Sequence, residues 1–219
     1  MEFAVEKQNW GQAAFTKPGL ALYDFLVLHL NCRLAWRCPN ELILAAYRQH
    51  VTANHLDVGV GTGYFLDHAV FPVAQPRVGL LDLNANCLKR AAQRIARYRP
   101  ELYQANLLAP VAINAPRFDS VGMNYVLHCL PGALPEKGVA IGHLKALLNP
   151  GGILFGATVL HGGVTRNALA VALMGLFNQR RTLCNRSDDL QGLESSLKQH
   201  LQEVRIEVVG CVALFSGRA

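Results

Sequence analysis

From position 51 onward, short apolar blocks alternate with longer stretches in which apolar and polar residues recur at helical spacing. The run Val51 to Val58 predicts a buried strand, followed by a helix over about 62–71 that Pro72 stops. Arg77-Val78-Gly79-Leu80-Leu81-Asp82 predicts a second strand and 85–98 its helix, with Asn84 as cap and Pro100 beyond the end. A short third strand is expected at Leu102-Tyr103-Gln104-Ala105. A fourth is expected at Ser120-Val121-Gly122-Met123-Asn124, introduced by Phe118-Asp119. A helix over about 136–148 should end at Asn149-Pro150-Gly151-Gly152 and feed a fifth strand, Ile153 to Val159. Beyond it the rhythm changes. Two helices, about 164–178 and 187–202, precede the apolar runs Val204 to Val209 and Val212 to Phe215, with Gly210-Cys211 as a tight connection.

Strands alternating with helices are the signature of an α/β sheet wound by right-handed crossovers. Residues 1–50 read as a helical preface, so 1–219 is expected to be one domain: a helical cap over 1–50 and a sheet core over 51–219. That length suffices to bury a full core. With 51% hydrophobic and only 16% charged residues, the chain reads as globular, not disordered.

The N-terminus, Met1-Glu2-Phe3-Ala4-Val5-Glu6, is acidic and lacks the basic start of a signal peptide. Leu20 to Leu30 is broken by Asp24 and His29, and Ala168 to Phe177 is too short for a bilayer span, which needs about 20 residues. Cys32, Cys38, Cys87, Cys129, Cys184 and Cys211 form no C-x-x-C pair and fit reduced thiols in a cytoplasmic compartment. No histidine, cysteine or acidic grouping has metal-ligand spacing, so no metal is expected. The net charge of +6 owes much to Lys89, Arg90, Arg94, Arg97 and Arg99. Arg90, Arg94 and Arg97 share one helix face, which reads as a solvated face more readily than as a nucleic-acid footprint.

The candidate chemistry sits where the first strand ends, in Asp57-Val58-Gly59-Val60-Gly61-Thr62-Gly63-Tyr64. Glycines at alternate positions let the backbone pass close to a ligand. The dinucleotide fingerprint would require glycine where Tyr64 stands. The pattern instead resembles motif I of the class I S-adenosylmethionine-dependent methyltransferases. That resemblance implies a Rossmann-like seven-stranded, mostly parallel sheet in the order 3-2-1-4-5-7-6, strand 7 antiparallel, with helices on both faces. It also implies S-adenosyl-L-methionine as cofactor.

On this resemblance Asp57, Gly59, Val60, Gly61, Thr62 and Gly63 border the cofactor. Asp82, 23 residues after Gly59, with Leu83 beside it, is placed to accept the ribose hydroxyls. A helix N-cap is the other reading of Asp82, and the two are compatible. Asn106 and Leu107 follow strand three, where the family uses an acid or amide near the adenine, although Asn106 could equally be a turn residue. Asn124 and Tyr125 end strand four and lead into Val126-Leu127-His128-Cys129-Leu130, similar to the Leu-His segment of small-molecule methyltransferases. His128 is the candidate general base and a substrate contact, or a histidine packed under the cofactor. Cys129 stands where a second histidine is often found.

Leu22-Tyr23-Asp24, Asn31-Cys32-Arg33 and Trp36-Arg37 are similar to N-terminal positions of the ubiquinone and menaquinone C-methyltransferases. That resemblance makes Tyr23 a cofactor contact and Trp36 a substrate wall. The likeness fades after strand five and carries no quinone specificity. His161, Met174, Phe177 and Asn178 are expected to flank the acceptor; the helix bearing the last three is apolar on nearly every face, as in a buried core helix or a pocket wall.

The sequence thus points to a methyltransferase acting on a small, partly apolar acceptor, with O- or C-methylation favoured. An RNA or protein methyltransferase is the alternative enzyme, and a non-catalytic cofactor-binding partner protein the alternative class. Acceptor identity and oligomeric state, a homodimer included, are left open.

Overall fold

The computed structural model describes residues 31–219. A π-type turn closes at Trp36, whose N–H reaches Asn31 O at 2.8 Å, and leads to α1, Asn40–His50. One seven-stranded sheet follows, in the order β3-β2-β1-β4-β5-β7-β6. Its strands are β1 Asn54–Val58, β2 Arg77–Asp82, β3 Glu101–Gln104, β4 Phe118–Asn124, β5 Leu148–Val159, β6 Gln202–Val209 and β7 Val212–Arg218. Pairings β1 with β2, β1 with β4, β2 with β3 and β4 with β5 are parallel, and β7 runs antiparallel to both β5 and β6. The expected strand order and the antiparallel seventh strand are therefore present.

The helices are α2 Tyr64–His68, α3 Ala85–Arg94, α4 Leu134–Lys137, α5 Val139–Lys145, α6 Ala168–Gln179 and α7 Leu190–His200. Several are shorter than the periodicity suggests, each for a local reason. Gly63 enters α2 in a left-handed conformation and Ala69 leaves it extended, so the helix has five residues in place of 62–71. Asn84 caps α3 as expected, its side chain accepting from Asn86 N at 2.9 Å, but the helix tightens to a 3-10 turn at Ala96–Tyr98. Asn167 caps α6 by accepting from Ala170 N at 2.7 Å, and Asp189 caps α7 by accepting from Gly192 N at 2.7 Å. Those two caps move the helix starts inward from 164 and 187. The helix expected over 136–148 is two short helices meeting at Gly138, and it stops early because Leu148 already pairs with Phe118. The first strand begins at Asn54, not Val51, since Val51 N closes α1 on Tyr47 O at 2.8 Å.

Alternation along β1 sorts its side chains by face. Leu56 and Val58 join one apolar cluster with Val121, Met123, Ile141, Leu144 and Leu197 beneath α5 and α7. On the other face a second cluster contains Ile43 and Tyr47 of α1, Leu80, Ala91 and Phe155. His55 and Asp57 point to that second face, and both are buried. The run read as apolar is therefore half polar, with its polar half committed to a buried network.

Candidate active site

In open α/β sheets, ligands bind outside the carboxyl ends of the strands, where the winding reverses. Here that point lies between β1 and β4, whose ends carry the glycine turn and Asn124. The three glycines have positive φ for different reasons. A Cβ on Gly59 would lie 2.2 Å from the Val126 side chain, and one on Gly63 would lie 2.9 Å from the Ala91 backbone on α3. Around Gly61, with φ of +51°, nothing lies within 4 Å of such a Cβ. Gly59 and Gly63 thus serve close packing, while Gly61 borders open space that a ligand can enter. Val60 and Thr62 between them are buried.

Asp82 closes β2 beside this turn and accepts from Asn84 N at 2.8 Å. Burial pushes its carboxyl up to about 6, against the opposing pull of the Asn84, Gly61 and Leu83 backbone N–H groups. The N-cap of α3 is Asn84, so Asp82 is not needed as a cap. Gln104 donates to Leu83 O at 3.0 Å, tying the β3 end to this rim. Asn106 accepts from Leu108 N at 3.0 Å in a tight turn, and Leu107 after it is buried.

Asp57 is more deeply engaged than its place in the motif suggests. Its Oδ1 accepts from the Tyr47 hydroxyl at 2.5 Å and lies 3.6 Å from His55 Nε2. His55 Nδ1 meets Ser120 Oγ at 2.9 Å, which in turn meets Thr52 Oγ1 at 2.9 Å. Gly122, paired with Asp57 across the sheet, makes room for the carboxylate: a Cβ there would lie 2.9 Å from Asp57 Oδ1. Burial and the Asp57 charge raise the Tyr47 phenol well above its ordinary value, whereas the neighbouring Asn124 amide lowers it. Asn124 is buried, and neither its Oδ1 nor its Nδ2 has a hydrogen-bond partner of good geometry.

His128 lies in a 3-10 turn, Leu127–Cys129, immediately past β4. Its Nδ1 accepts from Val159 N at 3.1 Å and sits 3.3 Å from Thr158 Oγ1. A backbone N–H can only donate, so Nδ1 is unprotonated and the ring proton resides on Nε2. Burial, helped by the charge of Lys137, pushes the imidazole down to about 3. Neutral His128 with its acceptor nitrogen already occupied has the character of a hydrogen-bond donor. That is a different part from the general base expected of it.

Lys137 is fully buried and pairs with Asp188 Oδ2 at 2.6 Å. It also donates to Leu130 O at 3.3 Å and Cys184 O at 2.9 Å. Cys184 N in turn donates to His128 O at 2.7 Å. Asn185 and Asn178 exchange hydrogen bonds of 2.8 and 3.2 Å, and Asn178 Nδ2 also reaches Met174 O at 2.8 Å. Asn178 thereby pins the 180–189 loop, and its amide is spent inside the protein. His161 is half-buried and donates its backbone N–H to Asp188 O at 2.9 Å.

Trp36 and Met174 are buried in one cluster, with Phe177, Leu173 and Tyr125 packed against it. Tyr125 adopts φ of +58°, and its buried hydroxyl faces the Cys32 and Cys38 thiols. Helix α6 is not a core helix: only Ala170 and Met174 are buried, while Leu169 and Val171 are 45% and 51% exposed. Arg94 at the end of α3 and Arg97 in the 3-10 turn after it reach Asp67 at 3.5 and 2.6 Å, so two of the three arginines tie this segment to α2. Tyr23 lies outside the described residues. Among those residues no helix is long and apolar enough to cross a membrane.

Sequence reasoning missed Tyr47, His55, Ser120, Lys137, Asp188 and Asn185. His55 adjoins the motif and could have been flagged as a polar residue within a buried strand. The others carry no local signal.

A family model described as a methyltransferase domain matches residues 56–154. The chain is 42% identical over 205 residues to demethylluteothin O-methyltransferase of Streptomyces thioluteus, covering 94% of this chain and 89% of the relative. It is 33% identical to the physcion biosynthesis cluster O-methyltransferase of Aspergillus chevalieri, covering 94% and 93%. The fold is similar to the N-methyltransferase NodS from Bradyrhizobium japonicum WM9 solved with S-adenosyl-L-homocysteine. That match has a TM-score of 0.57 at 18% identity, over 82% of this chain and 85% of that one. The chain belongs to the class I S-adenosylmethionine-dependent methyltransferases of small molecules. Its residues fit that cofactor, with open space at Gly61, an acid at Asp82 that no helix cap requires and an unpartnered buried amide at Asn124.

Proposed function

We propose that this methyltransferase acts on a hydroxyl oxygen of a small, partly apolar acceptor held between the β4 end and α6. The observation that carries this reading is the tautomer of His128, fixed by the Val159 N–H. An Nε2–H donor suits an oxygen nucleophile, which can accept the hydrogen bond on one lone pair and attack with another. A neutral amine has a single lone pair, and the same donor would occupy it. The Streptomyces and Aspergillus chevalieri relatives, both named as O-methyltransferases, support the choice of oxygen.

When bound, S-adenosylmethionine supplies an electrophilic methyl group, so the protein needs little covalent machinery of its own. Asp82 takes the ribose hydroxyls, the Gly59–Gly63 turn lets the cofactor approach the backbone, and Asn106 sits toward the adenine. Trp36, Met174, Phe177 and the Tyr125 ring exclude water from the acceptor and align it. His128 does not collect the acceptor's proton, because Nδ1 is occupied and Nε2 already carries one. A phenol or enol gives up that proton to solvent before it is enclosed and enters as the oxyanion, which Nε2–H then steadies. His161 stands at the outer edge of this flank.

The whole chain is read as one domain, and its six free thiols support a reducing, cytoplasmic setting. A homodimer is part of the same reading, through the exposed apolar side of α6, and sedimentation tests it. The test of function is an acceptor panel of demethylluteothin, simple phenols and the anilines matched to those phenols, assayed with S-adenosylmethionine by mass spectrometry. O-methylated phenols with unreacted anilines are expected. Methylation of the anilines alone would overturn the assignment to oxygen.

A further inference from the structure

The chain from Gly138 to Ser187 contains no acidic residue, yet it supplies the β5 end, α6 and the loop after α6. Arg166, Arg180, Arg181 and Arg186 all fall within it. Arg166 and Arg186 make no hydrogen bond or ion pair among the described residues. The acids that flank this stretch are engaged elsewhere. Glu136 accepts from Ala133 N at 3.0 Å, Asp188 pairs with Lys137 at 2.6 Å, and Asp189 caps α7.

Hydrogen bonds place Arg186 beside His128. Cys184 N donates to His128 O at 2.7 Å, Asn185 Nδ2 donates to Val159 O at 3.0 Å, and Val159 N is the group that fixes the His128 ring. Arg186 follows directly, in a turn that Asp188 N closes on Asn185 O at 2.9 Å. His161, two residues beyond Val159, donates its N–H to Asp188 O across from that turn. Arg166 comes in from the Trp36 side. Leu160 N reaches Cys211 O at 2.8 Å and Cys211 N reaches Trp36 O at 3.1 Å, while burial raises the Cys211 thiol to about 11 against the charge of Arg166. Burial, and then the charges of Arg166 and Arg186, hold the His161 imidazole below its ordinary value. Both guanidiniums therefore act on the edge of the acceptor flank, where His161 stands uncharged.

An acceptor that enters as an oxyanion gives up its hydration, a cost that cationic neighbours offset. His128 contributes an N–H but no charge, and Lys137 is neutralised by Asp188. The positive charge has to come from the two arginines. We propose that Arg166 and Arg186 are specificity-determining residues that admit the acceptor as its anion, which narrows the substrate class to phenols and enols acidic enough to ionise in water near neutrality. This rests on the proposed acceptor site between the β4 end and α6. The acceptor's proton goes to solvent before entry, and no group in the site takes it. With Arg166 half-buried and Arg186 exposed, both act at a distance through their field, which salt weakens.

The experiment is calorimetric titration of the full chain, loaded with S-adenosylhomocysteine, at about pH 8. The probes are 4-nitrophenol, ionised at that pH where an ordinary phenol such as the tyrosine side chain is not, and its uncharged methyl ether, 4-nitroanisole. The wild type should bind the nitrophenolate about tenfold more tightly than the ether. Arg166→Gln and Arg186→Gln should each cut that ratio by about threefold to fivefold with little change for the ether, and Arg166→Lys and Arg186→Lys should keep it. Raising salt from about 0.1 M to about 1 M should also lower the ratio. Equal affinity for the two probes in the wild type, binding of neither, or a ratio unchanged in both glutamine variants would overturn the proposal. The oxygen assignment fails separately: methylated anilines beside an intact nitrophenolate ratio would remove the choice of oxygen and leave the selection of anions standing.

Discussion

The Lys137 ammonium lies 2.6 Å from the Asp188 carboxylate, with neither side chain exposed. The pair joins α4, just past the His128 turn, to the 180–189 loop. The Lys137 contacts with Leu130 O and Cys184 O bind the same pieces together. Burial raises Asp188 to about 6 despite the lysine beside it, so desolvation outweighs the attraction on the acid's side. Two charges taken out of water give little net stability, but one left alone is costly.

Lys137→Met should therefore destabilise the fold by about 3–5 kcal/mol, by stranding Asp188. The double variant Lys137→Met with Asp188→Leu should recover most of that loss, since no charge then stays buried. Chemical denaturation of the three proteins decides it. A single variant as stable as wild type would show that the pair does not clamp the loop to α4.

The glycine turn gives a second contrast. Gly61 and Gly63 both have positive φ, so alanine at either costs about 1–2 kcal/mol of backbone strain. Gly61→Ala adds a methyl group to open space and should stay folded while losing cofactor affinity. Gly63→Ala drives a methyl group to 2.9 Å from the Ala91 backbone and should lose more stability, because helix α3 must move. Thermal midpoints and cofactor titration measured together test the contrast. Equal stability loss with unchanged affinity at Gly61 would remove the turn from the binding site.

What the sequence made legible was local. The glycine turn, the Asn84 cap and the Gly210-Cys211 hairpin are short-range patterns, and each fell within a few residues of its place, whereas Asn149-Pro150-Gly151-Gly152, read as a stop and turn ahead of a strand from Ile153, lies within β5 itself. Asp57 and Asp82 could be placed because a strand end and a motif coincide. The Tyr47 hydroxyl could not: a tyrosine four residues after Ile43 on an amphipathic helix looks like any core aromatic, and only sheet register brings Asp57 under it. Lys137 and Asp188 sit in polar, helix-forming surroundings that predict exposure. Their burial follows from tertiary packing of a loop that periodicity does not describe. His128 was correctly located past β4, but its protonation depends on Val159, a neighbour supplied by β5. Helix α6 misled in the opposite direction, since an apolar composition does not require burial.

If Asp82 is the ribose acceptor proposed above, cofactor affinity should depend on pH. In the free protein burial raises its carboxyl to about 6, and on that proposal the ribose hydroxyls donate to the ionised form. Binding therefore favours loss of the proton, so affinity should be full above about pH 7. Below about 6 it should fall by up to roughly tenfold per pH unit. Asp82→Asn should bind more weakly at neutral pH and show a flat profile over the same range. Titration calorimetry between about pH 5 and about 8 tests this. A wild-type affinity that did not change across that window would mean that Asp82 does not take the ribose hydroxyls.

His128 makes the sharpest demand. Its ring titrates near 3 in the folded chain and near 6.5 when unfolded, so between those values the unfolded state binds the extra proton. Stability from this group is complete above about 6.5 and is lost as pH falls toward 3. Asp82 and Asp188, each raised to about 6, work in the opposite sense, their contribution falling as pH rises through that value. The acid-side loss should therefore be clearest as a difference between wild type and His128→Asn, which removes one term and leaves both carboxyls. Nitrogen-15 spectra of the wild-type ring should show the Nε2–H tautomer, still neutral at pH 5. The log of wild-type turnover on a phenolic acceptor should show no rising limb that belongs to His128 near neutrality. A general base would instead give a limb near 6.5 that disappears in His128→Asn, together with a turnover loss of about 10²–10⁴-fold. That limb, or a ring protonated at pH 6, would restore the base role and remove the tautomer's preference for oxygen over nitrogen. Without it, the contribution of His128 is to hold the acceptor oxygen through a proton that it never gives up.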